Sequence, residues 1–214
     1  LAAELQAAGR DLISLGTGEP DFDTPQHIKD AAISAINSGQ TKYTPIDGTA
    51  ELKAAIRKKF ARENQLDYET SQIVVSSGAK QALFNLCVAL LNPGDEAIIP
   101  APYWVSYPDM VRLAEAEPIF EETGIEQDFK MTPAQLENAI KDKSRILILN
   151  SPSNPTGASY KKAELQALGT VLENHPGIVV LSDDIYEHIH WADEPFVSFA
   201  TACPALKDRT VTTN

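Results

Sequence analysis

Hydrophobic positions along this 214-residue chain fall into two alternating textures. Short apolar, often β-branched runs at 72–76, 96–100, 117–120, 145–150, 178–183 and 209–213 read as strands. Between them, 79–91, 106–114, 133–141 and 161–174 carry the three-to-four-residue spacing of helices. Ile178-Val179-Val180-Leu181 is apolar at consecutive positions, as expected of a strand buried on both faces of a parallel sheet. The alternation predicts βαβ units, hence an α/β fold built on a doubly wound, mainly parallel sheet. Thr132-Pro133-Ala134-Gln135 supplies a helix start, with an N-cap hydroxyl and Pro at the first position, and Asn92-Pro93-Gly94-Asp95 supplies a stop and turn. Ahead of residue 72 the texture differs. Thr24-Pro25 opens a helix that Gly39 closes, 51–63 forms a second, and 15–25 is a loop rich in Gly, Pro and Asp.

Composition narrows the class. With 43% hydrophobic and 22% charged residues the chain is ordinary globular material. A net charge of −12 argues against a nucleic-acid partner and against an anionic membrane surface. No apolar segment approaches the length of a bilayer span, and no secretory pattern opens the chain. Cys87 and Cys203 lack metal-ligand spacing, and Cys87 sits in an apolar helix, so both fit a reducing, cytoplasmic setting. His188 and His190 alternate along an extended stretch, but no Cys or carboxylate set completes a site, and no metal is expected.

The polar residues that interrupt this pattern carry the chemistry. Asp183 emerges from the buried run at the carboxyl edge of the sheet, where open α/β folds place their ligands, and a desolvated carboxylate there needs a partner. Ser76-Ser77-Gly78-Ala79-Lys80 passes directly into a helix, whose free N–H groups suit a phosphate. Pro102-Tyr103-Trp104 brings a flat ring after the next strand. Asn154 lies in the rigid loop 150–157 with two prolines and a glycine, and Tyr186 follows Asp183 by one helical turn. A phosphate cradle, a ring, an amide, a carboxylate and a phenol on one edge describe a pocket for a phosphorylated heteroaromatic cation. Pyridoxal phosphate fits, with Asp183 pairing the ring nitrogen and Asn154 and Tyr186 bonding the ring hydroxyl.

These residues, together with Leu15-Gly16-Thr17-Gly18-Glu19-Pro20-Asp21-Phe22, Tyr43-Thr44-Pro45, Gly78-Ala79-Lys80-Gln81-Ala82-Leu83, Asn154-Pro155-Thr156-Gly157 and Ser182-Asp183-Asp184-Ile185-Tyr186, resemble the aspartate aminotransferase family, class I enzymes of fold type I. The resemblance runs almost end to end but matches the N-terminal half of such an enzyme. It implies residues 1–30 as part of a small domain and 31–214 as a large cofactor-binding domain, incomplete at its C-terminus. It implies Gly18 beside the substrate carboxylate, Tyr43 on the neighbouring subunit's cofactor phosphate, and hence a homodimer with shared active sites. Backbone groups of Gly78 and Ala79 would hold the phosphate. Trp104 would stack on the ring and touch substrate, and Asn154 would also lie near the substrate carboxylate. Lys80 leans the substrate toward aspartate or glutamate, with prephenate an alternative. The implied activity moves an amino group between an amino acid and a 2-oxo acid.

One departure is expected to matter. The family's Schiff-base lysine follows a strand like Thr210-Val211-Thr212-Thr213-Asn214, and none of this chain's lysines lies in a matching motif. The 214 residues alone are therefore expected to be inactive and to hold pyridoxal phosphate only non-covalently, and the missing initiator Met reads as part of a longer chain. Competing readings are a lyase or synthase of the same fold type and a non-catalytic module that binds the cofactor. A nucleotide-binding Rossmann domain is disfavoured, because no G-x-G-x-x-G follows any predicted strand.

Overall fold

Five parallel strands form the sheet: β1 (Glu96–Ala101), β2 (Glu117–Glu122), β3 (Ser144–Asn150), β4 (Val179–Asp183) and β5 (Thr210–Thr213). Their order is β2-β1-β3-β4-β5. The order reverses between β1 and β3, and a crevice at such a reversal opens at the carboxyl ends of the strands. The computed structural model describes residues 2–13, 18 and 22–214. The chain divides into two units, Leu1–Thr44 and Pro45–Asn214. The first contains α1 (Ala2–Ala7) and α2 (Gln26–Asn37). The second contains the sheet with α3 (Ala50–Lys59), α4 (Ala79–Leu90), α5 (Tyr107–Leu113), α6 (Pro133–Ala139), α7 (Lys162–Glu173) and α8 (Phe199–Ala202).

The two-residue period of the strands sorts their side chains onto two faces. Ile98, Leu147, Leu149 and Val180 pack with Leu136 of α6, Leu165, Leu168 and Leu172 of α7, and Phe199 of α8. Ala97, Ile99, Ile146, Ile148 and Leu181 pack the opposite way, against Leu83 and Cys87 of α4 and Tyr107, Met110 and Val111 of α5. Both faces are covered, so the central strands β1, β3 and β4 are largely apolar, as the run at 178–181 predicts, while the edge strands β2 and β5 carry Glu and Thr. The expected capping box opens α6: the Gln135 N–H donates to the Thr132 hydroxyl at 3.3 Å and the Thr132 N–H to Gln135 Oε1 at 2.9 Å.

The first predicted strand is absent. Thr70–Gln72 is a 3₁₀ turn, and 73–76 has no ladder; beyond the local bonds from Ile73 N–H to Thr70 O (3.3 Å) and Gly78 N–H to Ser76 O (2.8 Å), its backbone is tied by Val75 N–H to Asp47 O at 3.0 Å. Consecutive Ile73, Val74 and Val75 give this segment strand propensity, but a strand exists only with a neighbour, and none of β1–β5 pairs with it. The helix expected over 51–63 also ends early, at Lys59, and widens into a π-helical turn, Phe60–Asn64. Of the predicted loop 15–25, residues 15–17 and 19–21 lie outside the described residues.

Candidate active site

Asp183 closes β4 on the face of Leu181, directly opposite Asn150 of β3 and Thr213 of β5. It is 3% exposed. Oδ2 accepts the Tyr107 hydroxyl at 2.6 Å, and Oδ1 accepts the Ile185 N–H and the Thr213 hydroxyl, each at 3.4 Å. All three donors are neutral. Burial raises the Asp183 pKa, and these hydrogen bonds oppose the rise only in part. Burial and the neighbouring carboxylate in turn keep the Tyr107 phenol protonated, so it is a committed donor.

Asn150 links this acid to the next loop. Its amide donates to the Asp183 carbonyl at 2.9 Å while its Oδ1 accepts the Asn154 N–H at 2.7 Å. The Asn154 amide, thus fixed, donates to the Tyr186 hydroxyl at 3.4 Å. The sequence assigned Asn154 and Tyr186 to one pocket, and the two side chains do meet. Sequence reasoning missed Tyr107 and Asn150. Tyr107 stands three residues after Trp104, across the turn that leads into α5, and Asn150 is the polar end of an otherwise apolar run; those spacings were the available signals.

Trp104 is half-buried, edge-on to Tyr107 with centroids 5.4 Å apart at 84°. Tyr103 is taken up by stacking on Phe120 at 4.9 Å. Lys80 is exposed, but its Nζ lies 4.9 Å from the Trp104 ring centroid, a cation–π distance that joins the helix start to the aromatic loop. Gly78 precedes α4 with φ of +88°, and no side chain caps this helix. That dihedral favours glycine and leaves the first-turn N–H groups of Ala79 and Lys80 aimed outward. A small cavity of about 20 Å³ at the ends of β1 and β3 is lined in part by Tyr103, Tyr107, Asn150 and Asn154. Gly18 and Tyr43 belong to the N-terminal unit, where both are exposed.

Behind the turn carrying Tyr186, Glu187 is 7% exposed. Burial alone would raise its pKa, yet bonds from Lys59 Nζ and from Asn64 Nδ2 (2.7 Å) hold the carboxyl below its usual range. Glu63, Glu187 and His188 bring ligand atoms within 4.8 Å of one another, but Lys59 already sits on Glu187. His188 and His190 go separate ways: His190 Nε2 is 3.0 Å from the Ser159 hydroxyl. Cys87 and Cys203 are buried, with thiol pKa values pushed up by burial to about 11. Among the described residues no helix is long and apolar enough to cross a membrane.

Residues 10–213 match the family described as aminotransferase class I and II. The chain is 58% identical over 213 residues to the aspartate/prephenate aminotransferase of Nitrosomonas europaea, covering 100% of this chain and 54% of that one. It is 56% identical to a probable aspartate/prephenate aminotransferase of Rickettsia bellii, over 99% of this chain and 53% of the relative. Among solved structures, the aspartate aminotransferase from Rhizobium meliloti superposes with a TM-score of 0.95 at 51% identity, covering 99% of this chain and 53% of that one. The Thermus thermophilus aspartate aminotransferase with maleate gives 0.92 at 44%, with 99% and 54% coverage. The chain spans about half the length of the curated relatives it matches.

Proposed function

Because the chain belongs to the aminotransferase class I and II family, we propose that the carboxyl edge of its sheet holds pyridoxal 5′-phosphate for moving an amino group between an amino acid and a 2-oxo acid. The observation that carries this reading is Asp183, a buried carboxylate met by three neutral donors and by no cation among the described residues. Such a site is costly until a cationic hydrogen-bond donor meets it, and the protonated ring nitrogen of the cofactor is one. The donor set thus fits the group. When bound, pyridoxal phosphate supplies an electron sink for the α-carbon of an amino acid.

The chain's own residues divide the work. Asp183 orients the ring and keeps its nitrogen protonated, with Tyr107 fixing the carboxylate. Asn154 and Tyr186 bond the ring hydroxyl, and Trp104 covers one ring face. The N–H groups of Gly78 and Ala79 hold the phosphate at the positive end of α4, the Gly78 N–H giving up its 2.8 Å bond to Ser76 O. Asn154 meets the substrate carboxylate, while Lys80, lying over Trp104, meets an acidic substrate side chain such as that of aspartate or glutamate. Tyr43 reaches the phosphate held by a second copy, making a homodimer with shared sites. Residues 1–30 go with a smaller domain, and the buried unpaired thiols support a cytoplasmic setting.

Replacing the carboxylate tests the reading. Asp183→Asn in the intact protein should weaken pyridoxal phosphate binding by about 10- to 100-fold, the worth of one charge-assisted buried hydrogen bond. Equal affinity in the two proteins, followed by fluorescence or absorbance titration, would exclude Asp183 as the ring partner.

A further inference from the structure

Successive residues leave a strand in opposite directions, so Asp184 is turned away from Asp183 and lies against Ser198 at the start of α8. It is 2% exposed. Oδ1 accepts the Ser182 hydroxyl at 2.7 Å. Oδ2 is enclosed and faces the Ser198 hydroxyl, and neither atom has another hydrogen-bond partner among the described residues. The groups facing it are neutral or acidic on every side. From β4 and the turn after it come Ser182, Asp183 and Glu187. From the β5 side come the Thr213 carbonyl, accepting the Asp184 N–H at 2.9 Å, and the Asn214 amide, donating to the Asp184 carbonyl at 3.3 Å. Tyr68 also feels the charge of Asp184, and its phenol and the Thr212 hydroxyl are buried there too; Lys207 lies 4.8 Å from the Tyr68 ring centroid. No lysine, arginine or histidine pairs with Asp184 among the described residues.

Three acids within five residues therefore meet three different fates. Glu187 is neutralised by Lys59. Asp183 has three donors and faces the ring site. Asp184 has two serine hydroxyls, those of Ser182 and Ser198, and two acidic neighbours. A buried anion without a cation costs far more than the neutral acid, whose O–H can itself donate. We propose that Asp184 is carried as the uncharged carboxylic acid, a positioning residue that packs the turn without adding a second charge and leaves Asp183 as the anion reserved for a cationic ring. In keeping with this, burial raises its pKa to about 7, opposed by the Ser198 and Ser182 hydroxyls and helped by the charges of Asp183 and Glu187.

The sign of the linkage follows. An acid whose folded pKa lies above its unfolded value, about 4, holds its proton more tightly when folded. That stabilisation is complete below the unfolded value and is lost as pH rises through the folded one. Asp184→Asn keeps the shape and removes the titration. In the intact protein without added pyridoxal phosphate, the folding equilibrium constant of the variant relative to the unmodified protein should rise roughly tenfold per pH unit between about pH 4 and 7, then level off. The same comparison in an Asp183→Asn background removes the neighbouring charge that helps raise the Asp184 pKa, and should give the same rise levelling off at a lower pH. A ratio that is flat, or that falls with rising pH, would overturn the assignment. Infrared spectroscopy of the unmodified protein gives an independent check that needs no folded variant. A protonated-carboxyl band should be present just below neutral pH and bleach as pH is raised past it, and its absence below neutral pH would equally overturn the assignment. The inference rests on the proposed cofactor only for what Asp183 is reserved for. If pyridoxal phosphate fails to bind the unmodified protein while the Asp184→Asn profile holds, the cofactor reading falls and the neutral acid stands.

Discussion

The Tyr107 hydroxyl governs how Asp183 is presented, through a 2.6 Å hydrogen bond between two side chains 2% and 3% exposed. Tyr107→Phe would leave Oδ2 without its donor and remove one of the bonds that oppose the rise in the Asp183 pKa. Asp183 must be ionised to accept a protonated ring nitrogen, so affinity for pyridoxal phosphate falls as pH drops through its pKa. With that pKa raised further, the acid limb of the binding profile should move to higher pH, and stability to urea should fall by about 1–2 kcal/mol. An acid limb that does not move would mean that Tyr107 only packs. Asp183 was legible in the sequence because a charge at the mouth of an apolar run breaks a pattern. Tyr107 was not, since an aromatic residue on a helix reads as core, and it is core as well.

At the scale of elements, local rules located the helices and most strands. The spacing at 161–174 became α7, and the Thr132–Gln135 signature became a formed capping box. The rules failed at 72–76, where propensity had no neighbouring strand to act on, and at Lys59, where the π-helical turn carries Asn64 to its bond with Glu187, 123 residues along the chain. A contact at that separation leaves no local trace. The entry to α4 offers a test of local chemistry. A Cβ on Gly78 would meet nothing within 4 Å, so the cost of Gly78→Ala is conformational rather than a clash with neighbours, about 1–3 kcal/mol for a backbone (φ +88°, ψ 164°) that is essentially confined to glycine. If the turn relaxes to escape that cost, the N–H groups of Gly78 and Ala79 move off the phosphate. Binding should then weaken more for pyridoxal phosphate than for its unphosphorylated analogue, pyridoxal. Equal losses for the two would detach this turn from phosphate.

Across the whole molecule, the strand order decides what the loops can do together. Alternation of strands and helices predicted a parallel sheet, but the order β2-β1-β3-β4-β5 lies in pairings between residues far apart in sequence. Those pairings set Asn150 opposite Asp183, and through Asn150 they fix Asn154 against Tyr186. The residues proposed for the pocket stood out in the sequence one by one, whereas the framework that holds them did not. The claim that the framework exists to present Asp183 to a protonated ring can be read from the ring itself. In the intact protein with pyridoxal phosphate labelled at the ring nitrogen, magnetic resonance should find that nitrogen protonated at neutral pH and deprotonated in Asp183→Asn. A ring nitrogen that carries no proton in the unmodified protein, with cofactor bound, would contradict the role given to Asp183.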